Sequence, residues 1–202
     1  MGKYDQSITD ILTIEYEEIQ KLIHSLDRSV MEKVIDLLMS VKPNGRKVIT
    51  AGAGTSGATA IRVAHSLNVC EVPTFFCDPA YSVHGGTGAI QKGDVVILFS
   101  KGGNTLEVIN YIPICKAKGA TIIGVCQNDD SILAKNADIY FKVKIERESD
   151  KFNMCASASC NTIAAVWDAV AFTIMKYNGY TKADLLLTHP GGKVGEMLRD
   201  NQ

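Results

Sequence analysis

Lys and Arg number 21 against 22 Asp and Glu in this chain of 202 residues, a formal charge of −1. That balance leaves no electrostatic case for nucleic acid or an anionic membrane as the main partner. With 46% hydrophobic and 21% charged residues the chain is not disordered, and its length suffices for a full core without disulfide or metal staples.

Ile8, Ile11, Leu12, Ile19, Leu22, Ile23 and Leu26 recur at helical spacing, with Glu15, Glu17 and Glu18 largely off the stripe. The spacing predicts a first helix. A second is expected from Ser29, whose spacing to Glu32 makes a capping box, to the Pro43-Asn44-Gly45 stop. Two helices ahead of any strand are not βαβ crossovers, so they are expected to cover a sheet edge or build a subunit interface. From residue 47 onward, five short runs rich in β-branched or aromatic residues predict strands at 47–51, 74–77, 95–99, 121–126 and 139–143. Helices are expected between most of them, at 56–69, 105–118 and 131–136. Continuous rather than alternating hydrophobicity means strands buried on both faces, so the fold class is α/β, a three-layer αβα sandwich on a parallel sheet. A long apolar helix at 157–177 and a polar tail complete the chain. The expected organisation is one domain over 1–202: N-terminal helices to 45, an αβα core over 46–178, and a C-terminal helix and tail over 179–202.

The first strand ends in Gly52-Ala53-Gly54-Thr55-Ser56-Gly57 and leads straight into a helix. This is a G-x-G-x-x-G pattern, and Asp78 ends the next strand about where a dinucleotide site places its ribose acid. Glycines that bring backbone N–H groups and a helix N-terminus to an anion suit a sugar phosphate equally well. The third strand ends in Ser100-Lys101-Gly102-Gly103-Asn104-Thr105, again opening a helix. Its two hydroxyls and the N–H groups around the glycines would make a phosphate cradle. Two such loops at the carboxyl ends of one sheet converge on the crevice where doubly wound folds bind ligands.

Ser157-Ala158-Ser159 opens the long helix, with one serine read as its N-cap and the other as a ligand hydroxyl. His24 and His65 fall within helices, whereas His84 and His189 fall in glycine-containing loops. Pro190 keeps His189 out of helix, which suits a general acid/base or an arm reaching into a neighbour's site. Glu107 falls in the first turn of the helix after the Ser100 loop. The charge run 146–151, with Glu146 and Glu148, reads on its own as a solvated loop.

No continuous apolar stretch opens the chain, and Gln6 fails the acylation pattern that Gly2 begins. The longest apolar run, 163–175, carries Asp168 and falls short of a bilayer span. Six cysteines without a C-x-x-C pair read as small buried hydrophobes. A soluble, cytoplasmic protein is expected.

These loops resemble the sugar isomerase (SIS) domain, and more narrowly the D-arabinose 5-phosphate isomerases. The resemblance runs from about residue 47 to 198 and is carried by Gly52–Gly57, His84-Gly85, Lys92-Gly93-Asp94-Val95-Val96, Ser100–Thr105 and His189-Pro190-Gly191-Gly192. It implies a five-stranded, flavodoxin-like parallel sheet between helices and a homotetramer with active sites shared between subunits. It implies catalytic roles for Glu148, His189, Glu107 and His84. Substrate or phosphate contacts are implied for Gly54, Thr55, Ser56, Ser100, Gly102, Gly103, Asn104, Thr105, Ser157 and Ser159. Three departures stand out: Thr55 where the family has Lys, Asn104 for an acidic residue, and Gly102 for a second serine. A short form lacking the paired CBS regulatory domains is expected.

The activity this implies is interconversion of arabinose 5-phosphate and ribulose 5-phosphate through an enediol, needing neither metal nor cofactor. Glu148 is preferred over Glu107 as the base, with His189 moving protons on the sugar oxygens or opening a cyclic substrate. Three alternatives stay open: an isomerase of another sugar phosphate such as a hexulose 6-phosphate, a non-catalytic phosphosugar sensor, and a dinucleotide oxidoreductase.

Overall fold

The computed structural model describes residues 2–200. Strands β1 (Val48–Gly52), β2 (Thr74–Phe76), β3 (Val95–Phe99), β4 (Thr121–Cys126) and β5 (Ile139–Lys142) form one sheet in the order β2-β1-β3-β4-β5. All neighbours pair in parallel. Every residue of β1 and β3 is buried, which is why their sequences read as unbroken apolar runs.

The strand pleat divides the core into two layers. Val95, Ile97 and Phe99 join one cluster, and Val96 and Leu98 join the other. The first cluster lies under helices α1 (Asp5–Ser25), α2 (Arg28–Val41), α3 (Gly54–Val69) and α8 (Ala158–Tyr177). The second lies under α5 (Leu106–Ile109), α6 (Tyr111–Lys118) and α7 (Ile132–Asn136). Trp167 of α8 anchors the first layer, edge-on to Phe99 at 5.7 Å and tilted on Phe141 at 5.5 Å between ring centres.

Several expectations change. Asp27, not Ser29, caps α2: its carboxylate accepts from the N–H groups of Ser29 and Val30, and the Ser29 hydroxyl itself donates to it. The stretch 105–118 is two helices rather than one, because Pro113 has no N–H to offer the carbonyl of Ile109 across the junction at Asn110. On α1, Leu22 is buried, but Ile8, Leu12 and Ile23 are more than half exposed, and Glu18 is buried instead.

Helix α8 is, by length and composition, apolar enough to cross a membrane, contrary to the expectation from run 163–175. Its Trp167, Val170 and Ile174 lie fully buried in the core. The polar tail folds into α9 (Lys182–Thr188) and α10 (Gly192–Arg199). A short α4 (Pro79–Ser82) follows β2.

Candidate functional site

In a sheet of order 2-1-3-4-5 the order in which strands are added reverses between β1 and β3, and the crevice beyond their carboxyl ends is where such folds take ligands. Gly52 pairs with Phe99 in the last rung, so loops 53–56 and 100–105 leave the sheet side by side. Ala53 stands at the N-cap of α3 and offers no side-chain acceptor. The first N–H groups of that helix therefore lack a cap and face the crevice with the positive helix end behind them. Gly57 is required here, since a Cβ would stand 2.6 Å from the Gly52 carbonyl oxygen. Ser56 is half-buried at this helix mouth.

The second loop is a preformed nest. Buried Ser100 shares a 2.8 Å hydrogen bond with the Thr105 hydroxyl and accepts from the Gly103 N–H at 3.1 Å. Gly103 has φ +73°, and a Cβ there would lie 2.2 Å from the Ser131 hydroxyl, so only glycine fits. Among the described residues, the N–H groups of Gly102, Asn104 and Thr105 have no acceptor. Donors left open in this way suit phosphate oxygens. The Asn104 side chain is turned away from the nest. Its Oδ1 accepts from the Ile132 N–H at 2.9 Å and caps α7.

Glu148 is the most tightly held group of the site. It is 2% exposed and accepts from Lys101 Nζ (2.5 Å), Ser159 Oγ (2.5 Å), Ser157 N (2.9 Å), Ser159 N (3.0 Å) and Ser157 Oγ (3.3 Å). The carboxylate of Glu148 thus caps α8, and neither serine hydroxyl caps the helix or stands open to a ligand. Ser157 Oγ also accepts from Ser149 N. Burial pushes the Glu148 carboxyl upward, but Lys101 and the serine donors outweigh it and bring the pKa down to about 2.

The solvated loop expected at 146–151 is clamped by α1. Glu18 accepts from the Glu146 N–H at 2.8 Å, Glu17 pairs with Arg147 at 2.9 Å, and Glu15 accepts from the Ser149 hydroxyl. On the other flank of the crevice, Gly52, Gly54, Ala58, Phe76, Asp78 and Glu107 line a cavity of about 460 Å³. Glu107 is the exposed carboxylate of the α5 first turn. Asp78 caps α4, accepting from the Ala80 N–H at 2.8 Å.

Residues 44–175 match the family model of the SIS domain. The chain belongs to the SIS family. Among solved structures, the SIS fold here is similar to a candidate sugar-phosphate isomerase from Listeria monocytogenes: 41% identity, TM-score 0.90, 95% of this chain and 100% of that one. It is also similar to c3406 of Escherichia coli CFT073, solved in complex with arabinose 5-phosphate: 30% identity, TM-score 0.88, 94% of this chain and 100% of that one. Among curated relatives, the arabinose 5-phosphate isomerase KdsD of Pseudomonas aeruginosa is 34% identical over 166 residues, 82% of this chain. The chain spans between half and three-fifths of the length of the curated relatives it matches first.

Within this SIS fold no hydrogen bond, ion pair or ring contact joins the four expected catalytic side chains among the described residues. His84 is exposed in the loop beyond β2. His189 lies edge-on to His65 of α3 at 6.5 Å between ring centres, and its buried Nδ1 has no partner among the described residues. His65 is nine residues beyond Ser56, roughly 14 Å along the helix at 1.5 Å per residue, so His189 touches α3 well away from the helix mouth. Thr55 faces a separate groove of about 490 Å³ between α3 and α8, which also holds the Arg62–Asp168 ion pair at 2.6 Å.

Sequence reasoning missed Gln127, whose N–H donates to the Lys101 carbonyl and whose buried Oε1 has no partner among the described residues. It also missed the carboxylates of α1 that fix the Glu148 loop. A lone Gln after a strand and glutamates on a helix carry no spacing signal, because both act through tertiary contacts.

Proposed function

We propose that this chain is a sugar-phosphate aldose–ketose isomerase, interconverting arabinose 5-phosphate and ribulose 5-phosphate. The observation that carries the reading is the pair of open N–H cradles, at the mouth of α3 and in loop 100–105, beside a cavity that Glu107 lines. The identity to arabinose 5-phosphate isomerases supports the choice of sugar.

The reaction moves one proton between C2 and C1. A base takes the C2 proton of the open-chain aldose, the carbonyl oxygen at C1 gains a proton, and an enediol forms. Return of a proton to C1, with loss of the proton on O2, gives the ketose. Phosphate held in the cradles supplies remote binding energy that positions the reacting carbons. We assign the base to Glu107 rather than to Glu148. A carboxylate with a pKa of about 2 that already accepts five hydrogen bonds is a weak proton acceptor near neutrality. Glu148 is then a positioning residue.

His189 is assigned to proton transfer on the sugar oxygens in a neighbouring subunit, since in its own chain it packs against His65, away from the mouth of α3. Exposed Ile8, Leu12 and Tyr16 on α1 and Leu187 on α9 support a homo-oligomer, read here as a tetramer. All six cysteines are free thiols, which suits the reducing cytoplasm.

The test is proton NMR in D₂O with ribulose 5-phosphate. Arabinose 5-phosphate carrying deuterium at C2 is the expected product. Binding of pentose phosphates with no exchange at any of them would overturn the isomerase in favour of a sensor.

A further inference from the structure

We propose that Lys101 supplies the positive charge that binds the substrate's phosphate, and that Glu148 holds its ammonium in place for that purpose. The proposal rests on the phosphosugar reading and adds a residue to it. The cradle donors are all neutral N–H and O–H groups, whereas a sugar phosphate arrives as a dianion. Lys101 is the charge carried by the cradle loop itself, immediately after Ser100.

Both ends of Lys101 are fixed. Its carbonyl accepts from the Gln127 N–H at 3.0 Å, and its ammonium reaches Glu148 Oε1 at 2.5 Å. The two partners differ in a way that matters. The Glu148 side chain is fully buried, while that of Lys101 is 33% exposed. An ammonium has three N–H donors, and one is spent on Glu148. The other two have no partner among the described residues.

A carboxylate partner would ordinarily cancel the charge that a phosphate needs. Here Glu148 has its own compensation, namely four donors from Ser157 and Ser159 and the positive end of the 20-residue helix α8. The carboxylate is therefore satisfied without Lys101, and the ammonium keeps charge to offer. Because four donors remain to Glu148 when Lys101 is removed, Lys101→Met leaves no bare buried charge and is expected to fold.

Titration with inorganic phosphate and with arabinose 5-phosphate, alongside steady-state kinetics, tests this on the intact chain. Lys101→Met is expected to weaken both ligands and raise KM roughly tenfold or more, the scale of one charge-assisted hydrogen bond, with kcat within about threefold. Lys101→Arg is expected to recover most of the loss. Glu148→Gln is expected to raise KM as well, and the double variant to be no worse than Lys101→Met alone, as befits a positioning residue. Lowering the pH from 8 to 5 converts phosphate to its monoanion and should weaken binding to the wild type but hardly to Lys101→Met.

Unchanged phosphate affinity in a folded Lys101→Met overturns the proposal. So does a loss confined to kcat, which would put the ammonium at the reacting end. A wild type that binds phosphate ligands without turnover would sink the isomerase reading alone, with the binding comparison still deciding Lys101. A wild type that binds neither ligand would sink both.

Discussion

Glu148 shows how much a fold adds to a residue that the sequence marks by motif position alone. Motif position marks it, but only the fold reveals that α8, Lys101 and two serines converge on it. A carboxyl brought from 4.5 to about 2 stores on the order of 3 kcal/mol in the folded state. Because the folded value lies below the ordinary one, that stabilisation is fully present above about pH 5 and is lost as pH falls toward 2. Glu148→Gln is therefore expected to cost about 3 kcal/mol at pH 7, with the gap to wild type closing progressively below pH 4. Urea unfolding at pH 7, 4 and 2.5 reads it directly. A gap that stays constant with pH would mean that the cost is one of packing and that the charge is unimportant.

At the scale of elements, what could be read from the sequence depended on where each element's partners lie in the chain. Strands β3 and β4 run over 95–99 and 121–126 as expected, because burial on both faces leaves an unbroken apolar run that needs no partner to interpret. Helix α1 is the opposite case. Its periodicity announced an apolar face, but not which residues would cover it, and in the chain Ile8 and Leu12 stay exposed. Its glutamates, read only as lying off the apolar stripe, hold loop 146–149.

That placement gives the N-terminal helix a part in the candidate site, since the loop it holds carries Glu148. Glu18 is 1% exposed, accepts from the Glu146 N–H and pairs with Lys21. Replacing it with Ala removes the charged acceptor of the part-buried Glu146 N–H bond, at a cost of about 1.5–3 kcal/mol. Hydrogen exchange is the discriminating measurement for Glu18→Ala. Protection should fall first at Glu146–Ser149 and the start of α8, while the β3 amides keep their slow exchange. Uniform loss across sheet and loop would show that Glu18 supports the whole fold and not the loop.

At the scale of the whole molecule, the histidine fixed by Pro190 packs against His65 of α3. The tail that carries it is built to hold shape: Thr181 and Asp184 form a capping box on α9, and a Cβ at Gly195 would stand 2.4 Å from the Pro190 carbonyl oxygen. A segment so constrained presents its histidine in one place, and in this chain that place is against His65 of α3. If sites are shared, Glu107 and His189 of one working site come from different subunits. Two inactive variants, Glu107→Gln and His189→Ala, then complement each other when co-expressed. Random assembly puts an intact Glu107 beside an intact His189 in about a quarter of the sites, so about a quarter of wild-type turnover should return. Neither variant alone should show it, and dilution that dissociates the mixed oligomer should abolish it. If His189 serves its own chain, every site in the mixture carries one lesion, and co-expression returns nothing.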